Sequence, residues 1–525
     1  MNNKIVKTLK EKFPRIELYR KISNEYYLSI PKESLVEVSQ DLEGQGAVLS
    51  IMTGTDERSL DGYFRLYYGF SIDESDIFIF LVVTLKEPDL AYPSITPFIP
   101  AAHWYEREAM DMLGLRPEGH PQPNRLVLHH DWPLGVRPLR KDFSKEKINQ
   151  LTEEKAEHRF HQVDGEGSFY VPVGPIHAGI IEPGHFRFAT AGEKIVSLEA
   201  RLFYTHRGIE KQAEGLNFFE GLELAERICG VCAYSHSTAY CQALEKIAGV
   251  EIPPRAQYIR TLLMEMERLY NHIGDLGNIC AGVGLAFGSS NGARIKERLQ
   301  RVNKYLVGHR FLRGINKPGG LKFDLPAEFK AKLNRELVEI EKDTQELVEI
   351  LLENVIFLNR INTTGIITLE NVRDLAVVGP AARGAGWNRD CRKIHPYGVY
   401  KDLEFEVPTH TTGDVASRFK IRYFEAIESF KIIRQILRKI PLGSISIELG
   451  DITPYQFALG FTESARGENM HWLMTGENNT IFRYRIRSAS YPNWPVVPLA
   501  VRGNIVPDFP LINKSFELCY ACLDR

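Results

Sequence analysis

Four cysteines, arranged in two pairs, are the residues of this sequence whose type and spacing could do chemistry. One pair is Cys229-Gly-Val-Cys232 and the other is Cys519-Tyr-Ala-Cys522. A Cys-x-x-Cys step brings two thiolates onto one turn, and two such steps offer four sulfur ligands, which suit zinc, an iron–sulfur centre or another soft transition metal. The two pairs lie too far apart in the chain for a local zinc finger. They therefore predict a site that a whole folded domain assembles.

The composition limits what kind of protein could carry such a site. A chain of 525 residues is too long for one ordinary core, so we expect at least two domains. The net charge of −2 gives no electrostatic reason to expect nucleic-acid binding, and seven cysteines do not form a disulfide framework. The amino terminus has no signal-peptide hydrophobic region, and the longest apolar run, at residues 77–83, is far shorter than the roughly 20 residues that span a bilayer. We expect a cytoplasmic protein that does not itself cross a membrane.

The hydrophobic pattern divides the chain near residue 160. Residues 1–95 alternate charged, helix-like segments with β-rich ones, as in a small α/β domain. A short helix is predicted to open at Trp104, and the polar stretch 144–161 is predicted to be a linker. Residues 170–202 are strand-like, with a turn at Gly192.

Long helices are predicted for the rest of the chain. The first covers residues 216–248 and ends at Gly249, a natural left-handed cap, and the next starts at the prolines 253 and 254. Two more amphipathic helices are predicted at 327–357 and 414–440. The second domain is therefore expected to be mostly α, a helical bundle with peripheral strands.

Several motifs resemble one family. The first cysteine pair, with His236 after three more residues, and the second pair, with Arg525 after two more, resemble the large subunit of a [NiFe]-hydrogenase. The closer resemblance is to the energy-converting, complex-I-related group 4, which includes the formate hydrogenlyase and hydrogenase-4 type. The motif His-Trp-Tyr-Glu-Arg-Glu at 103–108 resembles the 30-kDa subunit of complex I, and Glu-Pro-Gly-His-Phe-Arg at 182–187 resembles the start of its 49-kDa subunit.

This resemblance implies a fold and an activity. The expected fold class is α+β: residues 1–160 would form a small α/β docking domain like the complex I 30-kDa subunit. Residues 161–525 would form a mostly α-helical catalytic domain like the [NiFe]-hydrogenase large subunit and the complex I 49-kDa subunit. The expected function is that of the catalytic subunit of a membrane-associated hydrogenase, which reduces protons to H2 reversibly with electrons from iron–sulfur clusters of partner subunits.

The resemblance also implies a ligand set. Cys229 and Cys519 would bind nickel alone, whereas Cys232 and Cys522 would bridge nickel to an iron that carries carbon monoxide and cyanide. This is a Ni–Fe(CN)2(CO) centre, and no iron–sulfur cluster is expected in this chain.

Three further side chains acquire roles through the same resemblance. Glu182 matches the family's proton-transfer glutamate, although a surface carboxylate is the commoner role of a lone glutamate. Arg466 matches the family's arginine above the open metal position; the alternative interpretation is an ordinary surface or ion-paired arginine. His236, one helical turn after Cys232, could reach back to that sulfur or simply pack in the core.

The sequence departs from the family pattern at a magnesium site and at the Asp-Pro before the second cysteine pair, which is Glu517-Leu518 here. Glu210 matches the glutamate that binds magnesium in many hydrogenases, but the histidine that completes that site is Arg525 here, a cation that cannot ligate a metal. An ion pair between Glu210 and Arg525 is the expected replacement. In this family a protease often removes a C-terminal extension three residues after the last cysteine. The sequence stops at that residue, which is expected either for a processed form or for a member encoded without an extension.

The resemblance implies a set of partners as well. Electrons would arrive through a complex I 20-kDa-like iron–sulfur small subunit and ferredoxin-like iron–sulfur subunits, with formate dehydrogenase or another donor behind them. Integral membrane subunits would hold the protein peripherally on the cytoplasmic face of the cell membrane. A maturation protease and nickel-insertion proteins would assemble the centre.

Three alternatives differ in class from a hydrogenase. By cysteine spacing alone, a structural zinc site with four cysteine ligands is as good a prediction as nickel and iron; the accompanying motifs favour nickel and iron. A complex-I-like quinone oxidoreductase or scaffold subunit would have no hydrogenase activity, but the quinone-binding relatives lack the four cysteines. The third alternative is a zinc-stabilised assembly protein.

Overall fold

The amino-terminal part of the chain folds around a five-stranded sheet. The computed structural model describes residues 4–144, 162–163, 165, 167–178 and 181–525. The elements up to residue 118 are α1 (Lys4–Lys12), β1 (Glu17–Ile22), β2 (Glu25–Ile30), α2 (Leu35–Gly44), β3 (Val48–Glu57), α3 (Arg58–Asp61), β4 (Tyr63–Ile72), β5 (Ile77–Leu85), β6 (Ala91–Pro93), α4 (His103–Leu113) and β7 (Arg116–Glu118). The sheet order is β1-β2-β5-β4-β3, with only β2 and β5 parallel among these neighbours.

Both faces of this sheet are buried, which explains the apolar run at 77–83. Successive side chains of a strand point to opposite faces. In β5 the residues Ile77, Ile79, Leu81 and Val83 join the core that includes α1 and α2. Phe78 and Phe80 point the other way and belong to a cluster with aromatic residues from the carboxyl-terminal part of the chain. A strand that is buried on both faces has apolar residues at nearly every position, whereas a strand with one exposed face alternates apolar and polar residues.

The rest of the chain is mostly helical. Its elements are β8 (Ser168–Val173), β9 (His185–Ala191), β10 (Lys194–Arg201), α5 (Ile209–Gln212), α6 (Phe218–Ala225), α7 (Ala233–Ala248), α8 (Pro254–Gly282), α9 (Ala286–Val307), β11 (Asn316–Lys317), β12 (Gly320–Leu321), α10 (Phe329–Glu353), α11 (Val355–Ile361), α12 (Leu369–Asp374), α13 (Gly379–Gly384), α14 (Cys391–Ile394), α15 (Val415–Lys439), β13 (Phe457–Ser464), β14 (Gly467–Thr475), β15 (Ile481–Arg487), α16 (Ser490–Asn493), α17 (Val497–Val501), α18 (Phe509–Phe516) and α19 (Tyr520–Asp524). The long helix α8 packs against α9, α15 and α18.

Most of the predicted helix ends are confirmed. Helix α7 ends at Gly249, whose φ of 66° is left-handed, and α8 begins at Pro254. Helix α15 begins after Asp414, whose side chain accepts a hydrogen bond from the Ser417 amide at 2.8 Å. The predicted turn at Gly192 joins β9 to β10.

Two predictions about the rest of the chain are wrong, and a third needs correction: the helix predicted at 327–357 is divided at Asn354 between α10 and α11. The helix predicted at 216–248 is two helices, α6 and α7, because residues 226–232 leave the helical path to place the first cysteine pair. The strands β13, β14 and β15 are not peripheral: the first two are buried along their whole length, and β13 packs against α7. Periodicity within one segment does not report such tertiary packing.

Three arginines of β15 join the two parts of the chain. Strand β3 lies at the edge of its sheet, so the carbonyl groups on its outer side have no strand partner. Arg483, Arg485 and Arg487 donate to them from alternate positions. The distances are 3.1 Å to the Gly54 oxygen, 3.0 Å to the Met52 oxygen and 2.8 Å to the Ser50 oxygen. The amino-terminal sheet is therefore anchored directly on the sheet that lies beneath the cysteines.

The boundary between the two predicted domains stays a prediction. Residues 145–161, which include nearly all of the predicted linker, lie outside the described part of the chain. The helix predicted at Trp104 is α4, and one side of it is packed inside the protein: Glu106 is buried, and its carboxylate accepts hydrogen bonds from Ser94, Ile95 and Thr96. Among the described residues, no helix combines the length and the apolar character needed to cross a membrane.

Candidate metal centre

The two cysteine pairs meet although they lie at distant points of the chain. Cys229 and Cys232 lie in the loop before α7, and Cys519 and Cys522 lie at the start of α19. The Sγ atoms of Cys229 and Cys519 are 3.2 Å apart, and so are those of Cys232 and Cys522. Three of the four cysteines are buried, and Cys519 is partly exposed. The structure thus brings together all four predicted ligands.

The four cysteine thiols influence one another's protonation. Hydrogen bonds from the other three thiols lower the pKa of Cys229. The hydrogen bond to Cys229 in turn raises the pKa of Cys232 and of Cys519. Burial raises the pKa of Cys522. Four sulfurs this close together, three of them buried, can all be thiolates only if a metal ion neutralises them. The donor set fits a soft transition metal, and the Sγ atoms of Cys229, Cys232 and Cys522 lie within 4.8 Å of one another.

One face of α8 holds the first cysteine pair through its backbone. Tyr270 Oη and Asn271 Nδ2 donate to the Val231 carbonyl oxygen at 2.7 and 2.8 Å. One turn earlier, the Glu267 carboxylate accepts hydrogen bonds from the Tyr234 and Ser235 amides, two of the free N–H groups in the first turn of α7. Because these side chains are buried, the loop between the two cysteines has a fixed conformation.

His236 contacts a sulfur atom, but not the predicted one. Its Nε2 atom is 3.4 Å from Cys522 Sγ, so the ring reaches across to the second cysteine pair and not back to Cys232. Its Nδ1 atom is 2.8 Å from His471 Nε2. Burial lowers the pKa of His236 to about 4, so the ring is neutral at pH 7.

Arg466 is held rigidly beside the cysteines. Its Nη1 atom donates to Asn271 Oδ1 at 3.0 Å, its Nη2 atom donates to Asp275 Oδ1 at 3.2 Å, and its Nε atom donates to the Glu517 carbonyl oxygen. Burial alone would lower its pKa, but the carboxylates of Asp275 and Glu517 and the thiols of Cys232 and Cys229 raise it. The guanidinium is therefore a permanent charge in a fixed position.

Glu182 lies against the second cysteine pair. Its Oε2 atom accepts a hydrogen bond from the Ala521 amide at 2.8 Å, between Cys519 and Cys522. The side chain is otherwise exposed in this chain. Glu182 thus combines a fixed contact with the cysteine loop and access to solvent.

Glu210 meets Arg525, as the predicted ion pair requires. The Arg525 Nη1 atom donates to Glu210 Oε1 at 2.7 Å. Arg483 and Arg485 approach the same carboxylate at 2.9 and 3.2 Å. The amino-terminal part of the chain adds Glu108, whose Oε1 atom is 2.9 Å from Arg525 Nη2 and also pairs with Arg485.

These residues do not fit a magnesium ion. Mg²⁺ requires oxygen ligands in an octahedral arrangement. Here the Glu210 carboxylate faces three guanidinium groups. Three arginines share only two carboxylates, those of Glu210 and Glu108, so these five side chains together carry a net positive charge. The magnesium expectation at Glu210 is therefore replaced by a buried ion-pair network that links Arg525 to the amino-terminal domain.

Breaking this network should destabilise the protein without touching a cysteine. In Glu108→Ala, Arg485 and Arg525 would lose a carboxylate that is buried with them, and leaving buried charges unpaired costs about 3–5 kcal/mol. We expect a clearly lower thermal unfolding midpoint by scanning calorimetry. Glu118→Ala, which removes an exposed glutamate of the same domain, is the control and should unfold like the unmodified protein. Equal midpoints for the two variants would show that the network is not important for stability.

Sequence reasoning missed several residues around the cysteines. Glu267, Tyr270 and Asn271 were part of an amphipathic helix, and His471 and Tyr484 belong to buried strands. The spacing of i, i+3 and i+4 on α8 was the available signal for the first three, since it puts them on one face. A lone histidine or tyrosine in an apolar strand gives no comparable signal.

Comparisons with known proteins agree with this geometry. Residues 207–276 match the family model of the nickel-dependent hydrogenases, residues 28–149 match that of the respiratory-chain NADH dehydrogenase 30-kDa subunit, and residues 284–458 and 450–525 match that of its 49-kDa subunit. The chain is 39% identical to formate hydrogenlyase subunit 5 of Escherichia coli, over 92% of this chain and 85% of that protein. It is 37% identical to hydrogenase-4 component G of the same organism, over 99% and 92%.

A solved structure is also similar. A chain of the membrane-bound sulfane sulfur reductase, an archaeal respiratory membrane complex, superposes with a TM-score of 0.65 at 26% sequence identity. The match covers 70% of this chain and 100% of that one.

Proposed function

Because the chain belongs to the family of complex-I-related [NiFe]-hydrogenase large subunits, we propose that its four clustered cysteines hold the nickel–iron centre of that activity. The protein is the catalytic subunit of a hydrogenase, and its reaction is the reversible reduction of protons to H2. The observation that carries the proposal is the meeting of the two cysteine pairs, with Sγ–Sγ distances of 3.2 Å across the pairs.

The four cysteines divide into two roles under this proposal. Cys229 and Cys519 would hold nickel, and Cys232 and Cys522 would hold nickel and iron together. When bound, this centre supplies the electron-rich metals at which H2 is formed or split.

The protein's own side chains handle protons and charge. Glu182 carries protons between the sulfur ligands and solvent, because its carboxylate is bonded within the second cysteine loop and is exposed. Arg466 holds a fixed positive charge beside the cysteines, where charge changes during the reaction. The hydrogen bond between His236 and Cys522 tunes that thiolate without ligating a metal.

Electrons must reach the centre from outside the chain. We expect an iron–sulfur small subunit against the cysteine side, ferredoxin-like subunits beyond it and integral membrane subunits that hold the complex at the cytoplasmic face. What supports this arrangement is that two relatives are named as a subunit and a component, and that a third belongs to a membrane-bound complex. Formate dehydrogenase is one candidate donor.

The complex-I-like alternative also has support, since most of the chain matches NADH dehydrogenase subunit models. A scaffold or quinone-reducing subunit, however, gives no reason for four sulfurs to converge in a buried site. Metal analysis of the purified complex separates the possibilities. We expect nickel and iron in the complex; zinc in place of nickel would support a structural site, and the absence of any metal on the large subunit would support the scaffold.

A conservative change at Arg466 tests its role at the metal centre. Arg466→Lys keeps the charge but loses the planar guanidinium that now bonds to Asn271, Asp275 and Glu517. We expect nickel to stay bound while H2 evolution falls by about 10²–10³-fold, as when one preorganised electrostatic group is lost.

The matched control for this variant is Arg502→Lys, at an exposed arginine that takes part in none of the contacts described above. It should evolve H2 at the unmodified rate. A near-normal rate in Arg466→Lys would show that Arg466 does not act at the open metal position.

A further inference from the structure

Three buried side chains form a hydrogen-bonded line that ends on Cys522. Tyr484 Oη lies 2.6 Å from His471 Nδ1, His471 Nε2 lies 2.8 Å from His236 Nδ1, and His236 Nε2 lies 3.4 Å from Cys522 Sγ. All three side chains are fully buried. Strands β14 and β15 hold His471 and Tyr484, whereas α7 holds His236, so the line crosses from the sheet to the helix.

The donor and the acceptor of each hydrogen bond in this line can be assigned. A metal-bound thiolate has no proton, so His236 Nε2 must carry the hydrogen that points at Cys522. Neither ring has a carboxylate among its hydrogen-bond partners in the described part of the chain, and a buried charge without such a partner is unfavourable, so both rings are neutral. A neutral His236 then accepts at Nδ1, which makes His471 Nε2 the donor. His471 in turn accepts at Nδ1, so the Tyr484 hydroxyl donates.

We infer that His471 and Tyr484 are positioning residues, which hold His236 in the one tautomer that donates a hydrogen bond to the bridging thiolate of Cys522. This inference rests on the proposed function, because it takes Cys522 as a metal ligand. Neither residue touches the metal ligands in the hydrogen bonds described. Each acts through the next ring in the line.

The surrounding structure is rigid enough for this task. The two strands are paired in antiparallel register, with Leu473 opposite Tyr484 and His471 opposite Ile486. The Tyr484 ring also packs edge-on against Tyr240 of α7, with 5.6 Å between ring centroids, and Tyr240 lies one helical turn after His236. Outer residues that fix the tautomer and orientation of an inner histidine are a known way to tune a metal site.

The hydrogen bond has a spectroscopic consequence. A donor on the bridging sulfur withdraws electron density from the iron, which weakens donation from the iron into the bound carbon monoxide. If His236 turns away or changes tautomer, the iron becomes more electron-rich. The carbon monoxide stretching band then moves to lower wavenumber, although no ligand of the metal has changed.

Infrared spectra of the purified complex test the inference. In Tyr484→Phe, which removes only the first donor of the line, we expect nickel content to be unchanged and the carbon monoxide band to move to lower wavenumber. His471→Leu should move the band further. In His471→Gln the band should lie close to its position in the unmodified complex, because a side-chain amide can still donate to His236 Nδ1. The control is Tyr240→Phe, which loses a buried hydroxyl bonded to the Phe218 carbonyl oxygen and should leave the band in place.

The possible outcomes separate the two proposals. An unshifted band in Tyr484→Phe with nickel retained overturns the inference, and so does an equal shift in Tyr240→Phe. If His471→Leu fails to retain nickel, Tyr484→Phe and its control still decide. If the unmodified complex shows neither nickel nor a carbon monoxide band, the proposed function itself fails, and this inference falls with it.

Discussion

Replacing Cys519 by serine is expected to abolish both nickel retention and H2 turnover. The Sγ atom of Cys519 lies 3.2 Å from that of Cys229 and also accepts from the Cys522 amide, so it is both a ligand and part of the loop geometry. A serine hydroxyl is a harder, less acidic donor than a thiol and does not replace a thiolate on a soft metal. The same loss is expected for serine at Cys229, Cys232 or Cys522.

The measurements are nickel content of the purified complex and H2 evolution with an artificial electron donor. The matched control is Cys241→Ala, which removes a buried cysteine outside the cluster and leaves all four proposed ligands in place. That variant should keep its nickel and most of its activity. Full activity in Cys519→Ser would refute the assignment of the metal centre.

The cysteine site was predictable because its signal is local and chemical. Each Cys-x-x-Cys step is complete within four residues, and only the meeting of the two steps depends on the fold. The first residues of α8 and α15 were equally predictable, since Pro254 and Asp414 act on the first turn of their own helices. The resemblance of the motifs to a hydrogenase added the roles that spacing alone left open between zinc and nickel.

What could not be predicted depends on contacts between distant segments. The alternating arginines of β15 ordinarily indicate a solvent-facing side of a strand. Here Arg483, Arg485 and Arg487 are buried because the edge of β3, more than 400 positions away, offers them unpaired carbonyl groups. The sulfur that His236 contacts was wrongly predicted for the same reason: nearness in sequence favoured Cys232, whereas the fold places Cys522 against the ring.

The helix break before α7 has a similar cause. Residues 216–248 have helical periodicity, but the Val231 carbonyl bonds to Tyr270 and Asn271 of α8. Those tertiary hydrogen bonds, with Gly230 in the loop, outweigh a local preference that amounts to a few tenths of a kcal/mol per residue. The loop conformation that presents two cysteines to a metal is thus imposed by α8.

Glu182→Gln is expected to slow proton-dependent turnover strongly while the metal centre stays intact. Glutamine keeps an oxygen that can accept the Ala521 amide, now bonded to Glu182 Oε2 at 2.8 Å, so the cysteine loop should keep its shape. What is lost is the ability to take up and release a proton. Loss of a positioned acid–base group typically lowers a rate by about 10²–10⁴-fold.

Two measurements distinguish a proton-carrying role of Glu182 from a structural one. Nickel content should equal that of the unmodified complex, whereas H2 evolution and the exchange of D2 with water should both fall by the factor given above. The control is Glu193→Gln, at an exposed glutamate in the turn between β9 and β10, which should have no effect on either rate. If Glu182→Gln exchanges D2 at the unmodified rate, protons reach the sulfur ligands by another route and Glu182 only supports the loop at Ala521.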